Sequence, residues 1–153
     1  MLNIGDSAPD FCLVDDNGVH RRLSDFEGKK KVIYFYPRDN TPGCTTEACS
    51  FRDNYETILA TGAVVIGISG DSVKSHANFK TKYDLPFYLL SDPNKEVIKA
   101  YQAWGKKKMY GREYEGIMRC TYITDENNRI IAVFPKVKPS SHVKEILDFL
   151  SNK

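Results

Sequence analysis

A cysteine at the start of a helix has the clearest capacity for chemistry in this sequence. Cys44 follows a stretch of turn-forming residues, 37–43, and precedes apolar residues at helical spacing. The first N–H groups of a helix lack intrahelical partners and the helix dipole is positive there, so a thiolate is favoured over a thiol. Thr41 can place a hydroxyl beside the sulfur. The alternative is a small buried apolar residue, but the loop lacks the apolar neighbours for that, so we interpret Cys44 as a nucleophile.

Hydrophobic patterning predicts the elements that position this cysteine. The β-branched and aromatic run 31–36 indicates a buried strand before it, and the helix after it has a C-cap at Gly62. The apolar run 62–69 indicates a strand covered on both faces. Further predicted elements are a hairpin around Asn17-Gly18, a helix capped by Asp71 or Ser72, a strand over 85–90, a helix after Ser91, a loop over 102–116, a hairpin of strands 118–124 and 129–134, and a helix after Ser140 or Ser141.

The order of these elements predicts the fold class. Strand–helix–strand–helix–strand implies parallel central strands with right-handed crossovers, and the late hairpin adds antiparallel partners. We therefore expect an α/β fold with a central mixed sheet flanked by helices and an N-terminal β-hairpin. Residues 1–153 should form one domain. The loop that carries Cys44 then lies at the carboxyl end of a strand, where such sheets bind ligands.

Composition narrows the functional classes. A net charge of +2 is too small to indicate nucleic acid or a membrane surface as a partner. No apolar run is long enough to span a membrane, and the first residues do not read as a secretory signal, so we expect a cytoplasmic protein. Four cysteines in 153 residues suit a reducing compartment in which one pair cycles. A zinc site would need a second Cys or His pair at ligand spacing, so no metal is predicted.

Several motifs together resemble a known family. The pattern Pro37-x-x-x-Thr41-x-x-Cys44 is similar to the peroxidatic motif of the peroxiredoxins. The longer stretch 35–49 resembles the PrxQ branch, also called bacterioferritin comigratory proteins, as do stretches 5–11 and 104–111. The resemblance runs along nearly the whole chain. It implies a thioredoxin-like fold and a thiol-dependent peroxidase that reduces hydrogen peroxide and alkyl hydroperoxides.

The same resemblance assigns roles to residues around Cys44. Arg119 is expected to contact both the thiolate and the peroxide oxygens, and the alternative is a solvated arginine at a strand end. Thr41 should hydrogen-bond the peroxide or the sulfur, unless it is only a turn residue. Pro37 should shield the sulfur and shape the loop. Glu47 is either a supporting acid or a capping carboxylate.

The resemblance further implies that a second thiol resolves the sulfenic acid that peroxide leaves on Cys44. In the resembled family a cysteine five residues later often does so, which indicates Cys49. Within one helix, however, that spacing separates the two Cα atoms by ~8.6 Å, beyond the reach of a disulfide. The helix must therefore open if the pair is to bond. Cys12 and Cys120 are alternative resolving thiols.

The resemblance also implies how the enzyme is recycled. A dithiol protein such as thioredoxin would reduce the disulfide, the protein would be a monomer, and no metal, haem or flavin would take part. Another reading is a peroxide sensor or thiol-disulfide relay that passes oxidation to a partner protein. A thioredoxin-like disulfide reductase ranks below both, because the sequence has no Cys-x-x-Cys pair.

Overall fold

Over residues 1–152, which the computed structural model describes, the chain forms nine β-strands, five α-helices and a short 3-10 helix at Leu23–Phe26. The strands are β1 (Cys12–Asp15), β2 (His20–Arg22), β3 (Lys30–Phe35), β4 (Ala63–Ser69), β5 (Tyr88–Ser91), β6 (Trp104–Met109), β7 (Arg112–Ile117), β8 (Cys120–Thr124) and β9 (Ile130–Phe134). The helices are α1 (Pro42–Asp53), α2 (Tyr55–Ala60), α3 (Val73–Tyr83), α4 (Glu96–Ala100) and α5 (His142–Ser151). No helix in this range is both long and apolar enough to cross a membrane.

Seven strands form one mixed sheet in the order β2-β1-β5-β4-β3-β8-β9. The central strands β3, β4 and β5 are parallel, because helices cross over between them, whereas β8, β9, β1 and β2 join the sheet antiparallel. The predicted α/β class, the mixed sheet flanked by helices and the N-terminal hairpin are therefore confirmed. Gly18 has a φ of +78° in the hairpin turn, a conformation that favours glycine.

Alternate residues of β3 point into two separate apolar cores. Val32 and Tyr34 face the core that contains α1, α2 and α5, and Ile33 and Phe35 face the core of the 3-10 helix and α4. All seven residues of β4 are buried, as its apolar run predicts. This division by face decides which side chains can meet at the carboxyl end of β3.

The prediction of a loop over residues 102–116 is wrong. Strands β6 and β7 pair antiparallel there as a separate two-stranded ribbon that turns at Tyr110 and Gly111. The cross-strand partners that join a lysine to a glutamate are Lys106 with Glu115 and Lys108 with Glu113. Because polar residues lie on both faces of the ribbon, the sequence lacks the apolar alternation that marks a half-buried strand.

Two other expectations are also corrected. The helix predicted from Cys44 to Gly62 is broken at Asn54, whose ψ of 8° separates α1 from α2. The strand predicted over 85–90 begins only at Tyr88. Tertiary packing sets both boundaries, which single-sequence patterns locate poorly.

Candidate active site

Cys44 lies on the first turn of α1, directly beyond the carboxyl end of β3. Thr41 is the N-cap residue, with extended backbone, and Pro42 is the first helical residue, where its missing N–H costs no hydrogen bond. The thiol is 2% exposed and belongs to the core that also contains Ala48 and Phe51. The surroundings of Cys44 are therefore more apolar than the loop sequence indicates, because α1 turns this face onto the sheet.

Arg119 provides the positive charge beside the sulfur. Its Nη2 donates a hydrogen bond to Cys44 Sγ at 3.2 Å, and its Nη1 donates to Glu47 Oε1 at 2.8 Å. Burial alone would lower the pKa of the guanidinium, but negative charge on Cys44 and Glu47 outweighs burial and raises it. A Cβ at Gly43 would lie only 3.3 Å from Nη2, so glycine permits this close approach.

The sheet brings Arg119 to this position. Strands β3 and β8 are antiparallel, and Phe35 at the end of β3 is paired with Cys120 at the start of β8. The residue before β8 therefore lies beside the chain that leaves β3 for α1. An arginine that sequence alone would leave in solvent is thus held under the start of a helix.

Glu47 is a buried member of the site. Its side chain is fully buried, its Oε1 accepts from Arg119, and its Oε2 has no hydrogen-bond partner. Burial raises the pKa of Glu47 to about 7, although the charge and hydrogen bond of Arg119 act to lower it. The capping alternative is wrong, because the first turn of α1 contains no acidic residue and no side chain caps the helix. Near neutral pH the group therefore exchanges between carboxylate and carboxylic acid.

Uncharged polar groups lie beneath these three residues. The buried hydroxyl of Tyr34 has no partner, and burial, followed by the charges of Glu47 and Cys44, raises its pKa well above the usual range. Burial and the charge of Arg119 lower the pKa of His142 to about 4, so this imidazole stays neutral. Its Nε2 shares a hydrogen bond of 2.7 Å with Thr121 Oγ1. Apart from Glu47, the groups around Arg119 and Cys44 are therefore uncharged, so the guanidinium acts on the sulfur in surroundings of low polarity.

Thr41 and Pro37 lie in the loop between β3 and α1. The Thr41 hydroxyl donates to the carbonyl of Arg38 at 2.9 Å, so its hydrogen is directed away from the sulfur while its oxygen can still accept. Pro37 is half-buried and lies two residues beyond the end of β3. The predicted hydrogen bond of Thr41 to the peroxide or the sulfur and the predicted shielding by Pro37 stay predictions, and they are taken up below.

The loop is anchored to α3 by Asp39, which the sequence analysis did not single out. This carboxylate is 7% exposed and accepts hydrogen bonds from Tyr36 Oη at 2.6 Å and Ser75 Oγ at 2.9 Å, and its Oδ2 lies 2.7 Å from His76 Nδ1. Asp39, Asp71 and His76 are close enough together to ligate a metal ion. Their polar atoms already bond one another and neighbouring groups, so we interpret the cluster as a structural anchor. A lone Asp in a turn gives no sequence signal for such burial.

The four cysteines are unpaired and occupy different environments. Cys49 is half-buried on α1, which is continuous from Pro42 to Asp53, so it shares one intact helix with Cys44. The helical Cα separation of ~8.6 Å expected from the sequence spacing therefore applies, and α1 must unwind before these two sulfurs can bond.

Cys120 and Cys12 are poorly placed to meet Cys44. Cys120 is fully buried in the core on the opposite face of the sheet, and burial raises its pKa to about 12. Cys12 is exposed on β1, with Sγ 4.0 Å from His20 Nδ1. Since β1 is three strands from β3 in the sheet, Cys12 lies roughly 14 Å to the side.

Together, the helix-start thiol, its arginine and the mixed sheet define a class, the thioredoxin-fold thiol peroxidases. The AhpC/TSA family model matches residues 4–133, and the chain belongs to this family, within the Bcp/PrxQ branch of the peroxiredoxins. The chain is therefore a thiol-dependent peroxidase, an oxidoreductase, as the resemblance implied.

The similarity of this chain to known relatives and solved structures extends over almost its full length. The chain is 49% identical to the putative peroxiredoxin bcp of Coxiella burnetii over 95% of this chain and 97% of the relative. Identity to peroxiredoxin Bcp of Bacillus subtilis is 47%, over 99% and 96%. A crystal structure of a PrxQ mutant from Xylella fastidiosa superposes with a TM-score of 0.93 at 35% identity, covering 99% and 97%. The bacterioferritin comigratory protein of Xanthomonas campestris, studied for alkyl peroxide reduction, has a TM-score of 0.88 at 35% identity, covering 93% and 90%.

Proposed function

We propose that Cys44 is the peroxidatic thiolate and that hydrogen peroxide and alkyl hydroperoxides are the substrates. The observation that supports this most directly is the 3.2 Å hydrogen bond from Arg119 Nη2 to Cys44 Sγ. A guanidinium in that position stabilises a thiolate and keeps further N–H groups for the peroxide oxygens. The alkyl peroxide reduction studied in the Xanthomonas campestris protein supports the substrate class.

The reaction begins when the Cys44 thiolate attacks the terminal oxygen of the peroxide. The S–O bond forms as the O–O bond breaks, which leaves a sulfenic acid on Cys44 and releases water or an alcohol once the departing oxygen has gained a proton. The Thr41 oxygen is free to accept from the peroxide O–H, and Pro37 limits access of water. A free thiol is a few per cent ionised at neutral pH, so complete ionisation raises the rate at most about thirtyfold. Positioning and transition-state electrostatics must supply most of the acceleration.

The sulfenic acid then condenses with Cys49 after the first turns of α1 unwind. The half-buried position of Cys49 and its place on the same helix favour it over Cys120, which lies across the sheet. A dithiol protein such as thioredoxin reduces the disulfide. The whole chain works as one cytoplasmic domain and a monomer.

The test is peroxide consumption with thioredoxin and thioredoxin reductase, followed through the oxidation of NADPH. Cys44→Ser should abolish turnover, because a serine hydroxyl is not ionised at neutral pH. Cys12→Ser is the matched control, since that thiol is exposed on the distant N-terminal hairpin. Many turnovers per enzyme support the peroxidase, whereas a single stoichiometric oxidation of wild type would favour the sensor. Activity of Cys44→Ser near that of wild type contradicts the assignment.

A further inference from the structure

One guanidinium lies between two acidic groups of the active site. Arg119 Nη2 donates to Cys44 Sγ at 3.2 Å, and Nη1 of the same side chain donates to Glu47 Oε1 at 2.8 Å. Cys44 is 2% exposed and the Glu47 side chain is fully buried, so bulk water solvates neither acid. The half-buried Lys107 on β6 adds positive potential at Cys44 but forms no ion pair with either acid within residues 1–152. Two buried acids therefore share one hydrogen-bonded positive charge.

The other titratable groups around Glu47 supply no second countercharge. The Tyr34 hydroxyl on β3 is buried, and burial raises its pKa well above the usual range. On β8, burial raises the pKa of the Cys120 thiol to about 12, and on α5, burial and the charge of Arg119 lower the pKa of His142 to about 4. All three side chains are therefore uncharged near neutral pH. Within residues 1–152, Arg119 is the only ion-pair partner of Glu47.

A site with this arrangement of charges accommodates one anion better than two or none. If both acids were ionised, the second anion would be removed from water without a countercharge to offset the desolvation. If both acids were neutral, the guanidinium of Arg119 would lose its anionic partner. The favoured states therefore place one proton on either Cys44 or Glu47 and a negative charge on the other.

The position of each acid on α1 determines which of the two ionises. Cys44 is in the first turn, where free N–H groups and the positive end of the helix dipole stabilise an anion. Glu47 lies beyond the first turn, and its Oε2 has no hydrogen-bond partner. Burial raises the pKa of Glu47 to about 7 although Arg119 lies beside it. The negative charge is therefore favoured on the sulfur and the proton on the carboxyl.

We propose that Glu47 is a positioning residue that holds a proton while Cys44 is a thiolate and ionises when Cys44 is oxidised. This inference rests on the proposed role of Cys44 as the peroxidatic thiolate. When peroxide converts Cys44 and Cys49 to a disulfide, the sulfur loses its negative charge, and Glu47 becomes the only anion beside Arg119.

The reaction balances in protons and electrons. One thiolate, one thiol, one hydroperoxide and one carboxylic acid give one disulfide, one alcohol, one water and one carboxylate. Two electrons pass from the sulfurs to the peroxide. Glu47 releases its proton to solvent and the departing oxygen gains one from solvent, so no direct transfer between them is needed.

This exchange gives Arg119 an anionic partner at every stage of the cycle. The partner is the Cys44 thiolate before oxidation and the Glu47 carboxylate after it, so the guanidinium stays paired when the sulfur loses its charge. Reduction of the disulfide regenerates the thiolate, and Glu47 takes up a proton again. A residue that only packed against Arg119 would keep one protonation state throughout.

Infrared spectroscopy of the reduced protein measures the protonation of Glu47. The C=O stretch of its protonated carboxyl is assigned by its absence in Glu47→Gln and is followed from pH 5 to pH 9. In a Cys44→Ser background, where no thiolate forms, the band should disappear with a midpoint at about pH 7. With Cys44 present the midpoint should lie about one pH unit or more higher, because the thiolate already offsets the charge of Arg119. Glu145→Gln, at an exposed position on α5, should change neither midpoint.

Counting protons during oxidation provides a second measurement. Reduced protein at pH 8 in weak buffer is mixed with one equivalent of tert-butyl hydroperoxide, and an indicator dye follows the pH change. Wild type should take up almost no net protons, because Glu47 releases the proton that the reaction consumes. Glu47→Gln has no such proton and should take up about one per disulfide.

Equal midpoints with and without the Cys44 thiolate would overturn the proposal. So would equal proton uptake by wild type and Glu47→Gln, or a Glu47 band that is absent from the reduced protein over the whole pH range. Failure of the proposed function has a different signature. Reduced wild type would then show no ultraviolet absorbance of a thiolate at Cys44 and no oxidation of Cys44 by the hydroperoxide, and both are checked before any Glu47 variant is compared.

Discussion

Arg119 Nη2 donates a hydrogen bond to Cys44 Sγ at 3.2 Å, although 75 positions separate the two residues in sequence. The antiparallel pairing of β3 with β8 produces this contact, since it places the residue before β8 beside the chain that leaves β3. The same guanidinium holds the buried carboxyl of Glu47 at 2.8 Å. Thiol, guanidinium and carboxyl therefore form one coupled unit, and changes to any member should affect the others.

Replacing Arg119 with alanine should slow oxidation of Cys44 by about 10²- to 10³-fold. The variant loses thiolate population and also loses donors to the transition state, so raising the pH should recover only part of the rate. Stopped-flow rates from pH 6 to pH 9 measure both effects, with Arg112→Ala on the exposed face of the ribbon as the control. Complete recovery at alkaline pH would mean that Arg119 only promotes ionisation.

Replacing Glu47 with glutamine should increase stability more at alkaline pH than at acid pH. The pKa of Glu47 is about 7 in the folded protein, against 4.5 as the ordinary value. Between these values the folded state binds more protons than the unfolded state, so the free energy of unfolding of wild type falls as pH rises. The full destabilisation caused by ionising the buried carboxyl is present above pH 7. That cost is at most roughly 3 kcal/mol, and glutamine, which does not ionise, avoids it.

Thermal melts at pH 4.5 and pH 8.5 would measure this difference. A Cys44→Ser background removes the titration of the thiol. Glu145 is an exposed glutamate on α5, so Glu145→Gln controls for the change of net charge. The same difference in Tm between the Glu47→Gln variant and its parent at both pH values would contradict the assignment of a buried, partly protonated carboxyl.

Cys49→Ser should accumulate the sulfenic acid after one equivalent of peroxide, whereas Cys120→Ser should form a disulfide like wild type. The reason is that Cys120 is buried on the opposite face of the sheet from Cys44. Dimedone labelling followed by intact-protein mass spectrometry distinguishes the two states. Dimedone labelling of Cys120→Ser at the level of Cys49→Ser would identify Cys120 as the resolving thiol.

Oxidation should unwind the start of α1 but leave the central sheet intact. One helix carries Cys44 and Cys49 at a Cα separation of ~8.6 Å, so the disulfide requires local opening, which costs less than global unfolding. Amides over residues 41–51 should lose protection in the oxidised form, and those of β4 should not. The Asp39 anchor on α3 should hold the loop before residue 41 in place during this opening. Hydrogen exchange on both redox forms gives the answer, and an undisturbed α1 would exclude the Cys44–Cys49 disulfide.

The sequence by itself determined the elements that local chemistry controls. The strand before Cys44, the cysteine on a first helical turn and the order of parallel strands all follow from turn residues, helix starts and apolar periodicity, which act over a few neighbouring positions. Local sequence predicted a reactive thiolate at Cys44, because the ionisation of a thiol at a helix start depends on nearby backbone. The reaction itself was indicated by the resemblance of the motif containing Pro37, Thr41 and Cys44 to that of the peroxiredoxins.

Only the tertiary structure decided what surrounds the sulfur. It buries Glu47 against Arg119, buries Asp39 against α3 and places Cys120 on the far face of the sheet. It also forms the two-stranded ribbon of β6 and β7, where the sequence suggested a loop. These features depend on contacts between residues far apart in the chain, and the burial that raises the pKa of Glu47 to about 7 exists only once those contacts have excluded water.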